Sequence, residues 1–331
     1  MPVPSGRRSP RGTYTPRRVA TLSNLTFLAP PAEVADWRLV ILCDVAGAAG
    51  VFDELPATGT AVARRLGLDP HGVRVVLDAL VGLGVLERDG DVYAPGPGTP
   101  GAEEVGTLRH HARSLRRWAM TVDHRLRGEL GGDPVGMADP ETFHDSLAAA
   151  ARAAAPEIVD RCLARFPEAR SVLDLGGLHG EYSLEFARRG VRATMQDKEA
   201  MVGVARRRGR LAEAGVELFE GDFFEAVPDG PFDLAFCCGI THTFDGTGNV
   251  ALYRNVRRVV ARDGGVAVVT FVRRRNPMAE LFAVQMLLND NGGDTHTEDE
   301  YREWLGSGGF TPDEQIIDLP ELGGRSMFFA R

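Results

Sequence analysis

A glycine-containing loop after a short apolar run is the segment whose residue types could most directly hold a cofactor. The run ends in Asp174, and Gly176 and Gly180 follow within the stretch VLDLGGLHG. A dinucleotide loop needs glycines at the first, third and sixth positions of its motif, and neither Gly176 nor Gly177 starts that spacing. A phosphate-binding loop is also excluded, because no Gly-Lys-Ser or Gly-Lys-Thr follows and Lys198 is the only lysine. What remains is a shorter pattern of an acidic residue followed by two spaced glycines.

The elements that must position this loop are short apolar strands that alternate with amphipathic helices after Ser171. This alternation predicts an α/β fold with a parallel, Rossmann-like doubly wound sheet, in which ligands bind beyond the carboxyl ends of the strands. Two further strand-like runs, EQIIDLP and GRSMFFAR, should add an antiparallel hairpin at one edge. The predicted strands are 171–175, 191–195, 216–219, 232–237 and 266–272, and the predicted helices are 182–189, 201–214 and 250–261.

The region before the sheet has the element order of a winged helix. Helical spacing of apolar residues from Glu33 to Ala49 predicts a buried helix. Two short helices and a helix with an apolar stripe are predicted next, followed by a hairpin that turns at 89–90. The helix that reads DNA in such modules carries basic and amide side chains, whereas here it offers only Arg74. We therefore expect an all-α winged-helix dimerisation domain. The alanine-rich segment from 101 to 166 should be helical and bridge the two domains.

Composition limits the classes of function. A chain of 331 residues allows two domains, and its net charge of −8 argues against a general nucleic-acid binder. There is no apolar run of the roughly 20 residues that a membrane span needs. Four cysteines without metal-ligand spacing favour a reducing cytoplasm. The expected divisions are a disordered tail at 1–20, the winged helix at 21–100, the helical linker with acceptor-pocket helices at 101–166 and the cofactor domain at 167–331.

Six motifs in register resemble the class I S-adenosylmethionine-dependent methyltransferases, and more closely the plant-type O-methyltransferase family with its bacterial natural-product branch. The resemblance extends from about residue 20 to the end of the sequence, and it implies S-adenosylmethionine as cofactor, a small-molecule acceptor and a homodimer. The motifs are VLDLGGLHG, ATMQDKEAMV, VELFEGDFFEAVP, CGITHTFD, RDGGVAVV and GGDTHTEDEYREWLGSGGF.

The resemblance assigns the cofactor site to three consecutive strand ends. Carboxylates there would receive the methionine ammonium, the ribose hydroxyls at Asp197 and the adenine amino group at Asp222, beside the flat ring of Phe223. The alternative is that Asp197 and Asp222 cap helices or turns. The implied cofactor-binding residues are Asp174, Gly176, Gly180, Asp197, Asp222 and Phe223.

Leu178 departs from the family pattern, which normally has glycine at its position. Its side chain could crowd the cofactor, or the loop could demand a backbone conformation that costs leucine roughly 1 to 3 kcal/mol. We expect weakened rather than absent cofactor binding. A relative that keeps the fold but has lost methyl transfer stays open as an alternative.

The resemblance also places a general base at His242, because an imidazole near neutral pH can take the proton of an acidic hydroxyl. Thr243 replaces the aspartate that follows this histidine in the family, so Asp245 or Glu298 is expected to orient the imidazole instead. Without such a partner, His242 would only bind substrate. A metal shared by His242 and His296 is not expected, because their spacing is not a metal signature.

Four residues are candidates for the acceptor pocket, and three of them have an alternative interpretation. His144 could equally lie on a helix surface, Met286 could belong to the core, and His296 could sit in an ordinary loop before a helix. The candidates are Phe143, His144, Met286 and His296.

The favoured function is O-methylation of a small aromatic or polyketide-type natural product. The alternatives are C- or N-methylation or a methylation-deficient relative on the same fold, and a winged-helix regulator that senses a ligand.

Overall fold

A computed structural model describes residues 37–129, 140–288, 293–319 and 324–331. The predicted tail at 1–20 and the start of the first predicted helix lie outside the described residues. In chain order the elements are α1 Trp37–Ala48, β1 Ala57–Thr58, α2 Gly59–Leu66, α3 Pro70–Gly82, β2 Leu86–Asp89, β3 Val92–Pro95, α4 Ala102–Leu126, α5 Pro140–Arg165, β4 Ser171–Leu175, α6 Glu181–Arg188, β5 Arg192–Asp197, α7 Glu199–Arg208, α8 Arg210–Glu213, β6 Glu217–Glu220, β7 Phe232–Cys238, α9 Gly246–Arg257, β8 Val260–Thr270, α10 Pro277–Leu287, α11 Glu298–Ser307, β9 Pro312–Leu319 and β10 Arg325–Ala330.

The N-terminal unit packs α1, α2 and α3 against a small antiparallel sheet in the order β1-β3-β2. The predicted hairpin is present, with Gly90 in the left-handed conformation at its turn. Arg74 on α3 forms an ion pair with Asp78 on the same helix. The first helix, predicted to be buried, is buried only in part, because Cys43 is buried while Trp37 and Val45 are 53% and 48% exposed.

The C-terminal part of the described chain contains a seven-stranded sheet in the order β6-β5-β4-β7-β8-β10-β9. Strands β4 to β8 are mutually parallel where they pair, whereas β10 runs antiparallel to both β8 and β9. The predicted edge hairpin is therefore confirmed. Because β10 is reversed, its first residue, and not its last, lies beside the carboxyl end of β8.

Side chains alternate between the two faces of this sheet, as the pleat of a strand requires. On β4, Val172 belongs to a core formed with α5, α6 and α7, while Leu173 belongs to a second core formed with α9 and α11. On β7, Phe236 and Cys237 alternate in the same way. Two buried layers thus hold the sheet rigid, so that the strand ends have fixed positions.

Three predicted boundaries differ from the structure. The helix predicted for 250–261 ends at Arg257, and the strand predicted for 266–272 begins at Val260, where it pairs with Phe232 ahead of a bulge. The polar run 262–265, which lies between the predicted helix and the predicted strand, is part of β8 because the start of β8 pairs with β7, a strand distant in sequence. The helix predicted for 201–214 is interrupted at Gly209, whose φ of 72° ends α7 before the short α8.

The linker predicted to be helical contains two long helices, α4 and α5, which pack against each other; residues 130–139 between them are outside the described part. Side chains of α4 also reach α10: Trp118 donates to Gln285 at 2.6 Å, and Arg117 donates to the carbonyl of Leu288 at 2.9 Å. The two linker helices therefore connect the N-terminal unit with the sheet domain. Within the described residues, no helix combines the length and the apolarity needed to cross a membrane.

Candidate functional site

The loop after β4 is held by contacts to the ends of the neighbouring strands. Gly176 donates its N–H to the carbonyl of Gln196 on β5 at 2.8 Å and has a φ of 65°. A Cβ atom at Gly176 would lie 2.4 Å from Ile240 Cγ2, in the segment after β7. Glycine is required here because the backbone turns through the left-handed region and touches the neighbouring segment. The loop thus joins the ends of β4, β5 and β7.

Leu178 adopts the strained conformation that the sequence indicated as one of two outcomes. Its φ is 44°, and its N–H donates to Asp197 Oδ2 at 2.9 Å. A non-glycine residue in this region costs of order 1 to 3 kcal/mol and persists only where its surroundings hold it. Here the hydrogen bond to the Asp197 carboxylate is one of the contacts that hold the loop in place.

Asp174 and Asp197 are two largely buried carboxylates at the carboxyl edge of the sheet. Asp174 is 1% exposed and accepts a hydrogen bond from Ser183 Oγ at 2.6 Å. Burial raises the pKa of Asp174 to about 7, and the charge of Asp197 adds to this. Burial also raises the pKa of Asp197, although the N–H groups of Leu178 and Lys198 oppose it. Both carboxylates are therefore placed where a ligand that donates hydrogen bonds or carries positive charge would be stabilised.

Asp222 and Phe223 follow β6 at the same edge. Asp222 Oδ1 accepts the N–H of Phe224 at 2.9 Å, and its other oxygen lies 3.7 Å from Nζ of Lys198. Phe223 is 8% exposed, and its ring packs against Phe224 and Phe244. Asp222 therefore also stabilises a turn, as the alternative interpretation stated, and Phe223 is part of a cluster of three aromatic rings.

His242 lies in a single helical turn after β7, at the edge where β7 and β8 end. It is 8% exposed, its Nδ1 is 3.4 Å from Thr270 Oγ1, and its ring centroid is 4.7 Å from that of Phe282. Burial, reinforced by the positive charges of Arg325 and His296, lowers the pKa of His242 to about 3. The imidazole is therefore uncharged at neutral pH and has an available nitrogen lone pair.

The two expected orienting acids are engaged elsewhere. Asp245 caps α9 through a 2.8 Å hydrogen bond from the N–H of Gly248, and its side chain points toward solvent. Glu298 pairs with Arg275 and Arg302. These contacts do not support an orienting role for either carboxylate; the hydrogen-bonding neighbour of the His242 ring in the described structure is the Thr270 hydroxyl.

The acceptor-pocket candidates fall into two groups. His296 forms the first group, because it lies near His242 at the carboxyl edge and its charge acts on that ring. Its Nε2 is 2.9 Å from the carbonyl of Phe244. Phe143, His144 and Met286 form the second group, on the helices α5 and α10. His144 is 3% exposed and contacts Asp145 at 3.1 Å, whereas Phe143 is 37% exposed. Met286 is buried on α10.

The predicted helix start before α11 is also present, because Thr297 caps α11 in a capping box with Glu300. Among the described residues no group of three or more histidine, cysteine or acidic side chains could hold a metal ion.

Four residues at the same edge were not predicted as site residues. Phe271 follows β8 and stacks on Phe282 at 4.5 Å between centroids, and the Arg325 guanidinium lies 5.5 Å from the centroid of the Phe271 ring. Tyr182 opens α6 and packs on Phe236 at 5.2 Å. The signal that could have found Arg325 is a charged residue at the start of a strand that pairs antiparallel beside β8.

The residues at the ends of β4, β5 and β6 fit the expected cofactor. A carboxylate has about four acceptor positions, and the two N–H groups bound to Asp197 use only half of them, which leaves acceptors for two ribose hydroxyls. Asp174 can favour an ammonium group, and Asp222 can accept from an amino group beside Phe223. These assignments stay predictions.

Known proteins bear out the family and the cofactor. The model of an O-methyltransferase domain matches residues 140–311. A 3-amino-4-hydroxybenzoate 4-O-methyltransferase of Streptomyces cremeus is 29% identical over 83% of this chain and 82% of its own length. The tetracenomycin polyketide synthesis 8-O-methyl transferase TcmO of Streptomyces glaucescens is 30% identical over 75% of this chain and 79% of its own length.

The solved structure of the mitomycin 7-O-methyltransferase MmcR has the same fold, with a TM-score of 0.72 at 21% identity over 89% of this chain and 94% of that chain. The predicted fold class, family and cofactor are thereby confirmed. The chain belongs to the O-methyltransferase family and is an S-adenosylmethionine-dependent methyltransferase.

Proposed function

We propose that the chain methylates a hydroxyl oxygen of a small aromatic or polyketide-type natural product, with His242 as general base. The observation that carries the proposal is a buried, uncharged imidazole at His242. It packs against the Phe282 ring and lies two residues after Ile240, which is next to Gly176 of the cofactor loop. Relatives named for an aminohydroxybenzoate and for a tetracenomycin polyketide support this class of acceptor.

The low pKa of His242 is compatible with proton transfer because the site already has to carry a positive charge. S-adenosylmethionine, when bound, supplies a methyl group on a positively charged sulfonium and leaves as a neutral thioether. Proton uptake by His242 therefore restores, on the imidazole, one positive charge that the loaded site held before transfer. Before substrate binds, burial keeps the ring deprotonated, which is the form that a base requires.

A methyl-transfer assay with labelled S-adenosylmethionine and a panel of phenols tests the proposal. Replacing the base in His242→Gln should lower kcat by about 100-fold to 10,000-fold, the usual contribution of a general base, while calorimetry should give unchanged affinity for S-adenosylhomocysteine. The control His124→Gln removes an exposed imidazole in the last turn of α4, which pairs with Glu129. Unchanged turnover in His242→Gln would refute the assignment of the base.

N-methylation and C-methylation stay as alternatives, because the fold and the cofactor site do not depend on the accepting atom. NMR spectroscopy of the product distinguishes them, since the chemical shift of the new methyl group differs between oxygen, nitrogen and carbon, whereas the three isomers have the same mass. If the product is methylated on nitrogen or carbon, that atom and not a hydroxyl oxygen is the nucleophile.

A homodimer remains part of the proposal, with residues 21–100 as its dimerisation domain. Exposed apolar side chains on two packed helices support it: Trp37 and Val45 on α1, and Leu115 and Met120 on α4. Sedimentation of the native chain should give a dimer, and the Trp37→Ser, Met120→Ser double variant should weaken it. Four free thiols are in keeping with a cytoplasmic protein.

A further inference from the structure

Arg325 lies on the acceptor side of the carboxyl edge, at a position that the methyl-transfer chemistry alone does not require. It is the first residue of β10, and its neighbour Ser326 is paired with Thr270, the residue in contact with His242. The guanidinium lies over the Phe271 ring at 5.5 Å. Arg325 is therefore at the same edge as the proposed base.

The charge of Arg325 reaches the groups that surround this part of the site. It lowers the pKa of His242 and of His179, and it opposes the increase that burial causes in the pKa of Tyr182 and Cys238. These four groups come from the cofactor loop, α6, the end of β7 and the turn that follows it. The guanidinium therefore lies close enough to act on titratable groups from each of these elements.

Nearby carboxylates are bound to other arginines. Arg275 binds Asp318 at 2.8 Å and also Glu298, while Asp294 is paired with Arg273. Within the described ranges, Arg325 makes no ion pair, and the ring of Phe271 is its described contact. A half-buried guanidinium beside an aromatic ring, with no carboxylate partner among the residues that the structure describes, is favourable for an anionic ligand.

The aromatic residues beside Arg325 indicate the shape of that ligand. Phe271 and Phe282 lie 4.5 Å apart, and Phe282 meets the edge of the His242 ring at 4.7 Å. A flat ring bound against these side chains would have the base at one point and the guanidinium at another. Its hydroxyl and an acidic substituent could then be recognised together.

We infer that Arg325 binds a carboxylate on the aromatic acceptor and selects hydroxylated aromatic acids over their neutral analogues. This inference rests on the proposed function, because it assigns the acceptor to the space beside His242. Arg325 is a specificity residue and takes no part in the proton or methyl transfer.

The test uses the protein saturated with S-adenosylhomocysteine, titrated with 4-hydroxybenzoate and with its methyl ester. The native chain should bind the acid about 10-fold to 100-fold more tightly, as expected for hydrogen bonds to a charged group. Arg325→Met should bind the two compounds equally, and Arg325→Lys should keep part of the preference because it keeps the charge but not the planar fork.

The matched control is Arg331→Met at the other end of β10, where a guanidinium lies over the Phe166 ring at 5.2 Å. This variant should keep the full preference for the acid. Unchanged affinity for S-adenosylhomocysteine in each variant checks that the fold is retained. Equal affinity of the native chain for acid and ester, or a preference that survives in Arg325→Met, overturns the inference.

Binding and turnover separate this inference from the proposed function. If no phenol is methylated but Arg325→Met removes the preference for the acid, O-methylation fails and the carboxylate site stands. If phenols are methylated with equal KM for acid and ester, and this ratio does not change in Arg325→Met, the carboxylate site fails and O-methylation stands.

Discussion

The two halves of the carboxyl edge bury titratable groups of opposite type, carboxyls in one half and imidazoles beside a guanidinium in the other. Beyond β4 and β5, burial raises the pKa of Asp174 and Asp197, so this half would be stabilised by a positively charged ligand. Beyond β7, β8 and β10, burial lowers the pKa of His242 and of His296, and the charge of Arg325 adds to the shift at His242, so that half would be stabilised by an anion. The halves meet where Gly176 contacts Ile240.

This difference shows how one sheet edge can serve two dissimilar ligands. If the two proposals hold, a cationic cofactor would be stabilised by the carboxylate half and an acidic acceptor by the half that contains Arg325. Each ligand would then offset part of the desolvation of the groups buried in its half.

The largest expected effect tests the acceptor half through the pH dependence of stability. The folded pKa of His242 is about 3 against an unfolded value of 6.5, so the stability from its neutral ring is present above pH 6.5 and is lost as the pH falls toward 3. Glutamine does not titrate, so the variant His242→Gln does not share this loss. As the pH falls from 6.5 to 3, its free energy of unfolding should therefore rise relative to that of the native chain by about 1.4 kcal/mol per pH unit, about 5 kcal/mol in all. Urea unfolding at several pH values measures this, and a difference independent of pH would contradict it.

The cofactor half should respond with the opposite sign. The folded pKa of Asp174 is about 7 against an unfolded value of 3.8, so its stabilising effect is present below pH 3.8 and is lost as the pH rises through 7. The free energy of unfolding of Asp174→Asn should therefore rise relative to that of the native chain as the pH rises from 3.8 to 7, by about 4 kcal/mol in all. The same unfolding series checks it; a constant offset between the two chains would show that the carboxyl is not protonated in the folded state.

Asp197→Asn should weaken binding of S-adenosylhomocysteine by about 30-fold, or about 2 kcal/mol, because a charged acceptor of hydrogen bonds is replaced by a neutral one. Calorimetry measures the change. The control is Glu220→Gln, which alters the residue paired with Asp197 at the end of the next strand and should leave the affinity unchanged. Equal losses in the two variants would mean that the effect is general to this edge.

Leu178→Gly should give the smallest effect, a stabilisation of about 1 kcal/mol, because glycine adopts the left-handed conformation without strain. Leu178→Ala keeps the strained φ of 44° but removes the isobutyl group. Thermal unfolding and cofactor titration of both variants therefore separate strain from crowding. A cofactor affinity that rises in both variants would identify crowding as the cause of weak binding, and a stability that rises only in Leu178→Gly would identify strain.

The residues predicted from sequence at the edge are those that directly follow parallel strands. Asp197, Asp222 and His242 each come after an apolar run, and the carboxyl ends of parallel strands share one edge, so local sequence is sufficient to place them. The strain at Leu178 could be anticipated for a different reason, because the family pattern has glycine at its position.

The orienting acids and Arg325 could not be placed in this way. Asp245 accepts the N–H of Gly248 three residues later, and Glu298 pairs with Arg302 on the same helix. Both carboxylates are therefore bound by groups close to them in sequence and not by His242. Arg325 reaches the edge only because β10 pairs antiparallel with a strand far earlier in the chain. Long-range pairing with Phe232 also places the start of β8 at Val260, six residues before the predicted start of the strand.

The reversed direction of β10 has a consequence for how the two halves arise during synthesis. The cofactor loop and Asp197 leave the ribosome early, whereas the strand that carries Arg325 is made after every other strand of the sheet. A nascent chain stalled before β10 should thus acquire its nucleoside-binding half while β8 still has an open edge, and such a chain would need protection from edge-to-edge aggregation until the last strand is added.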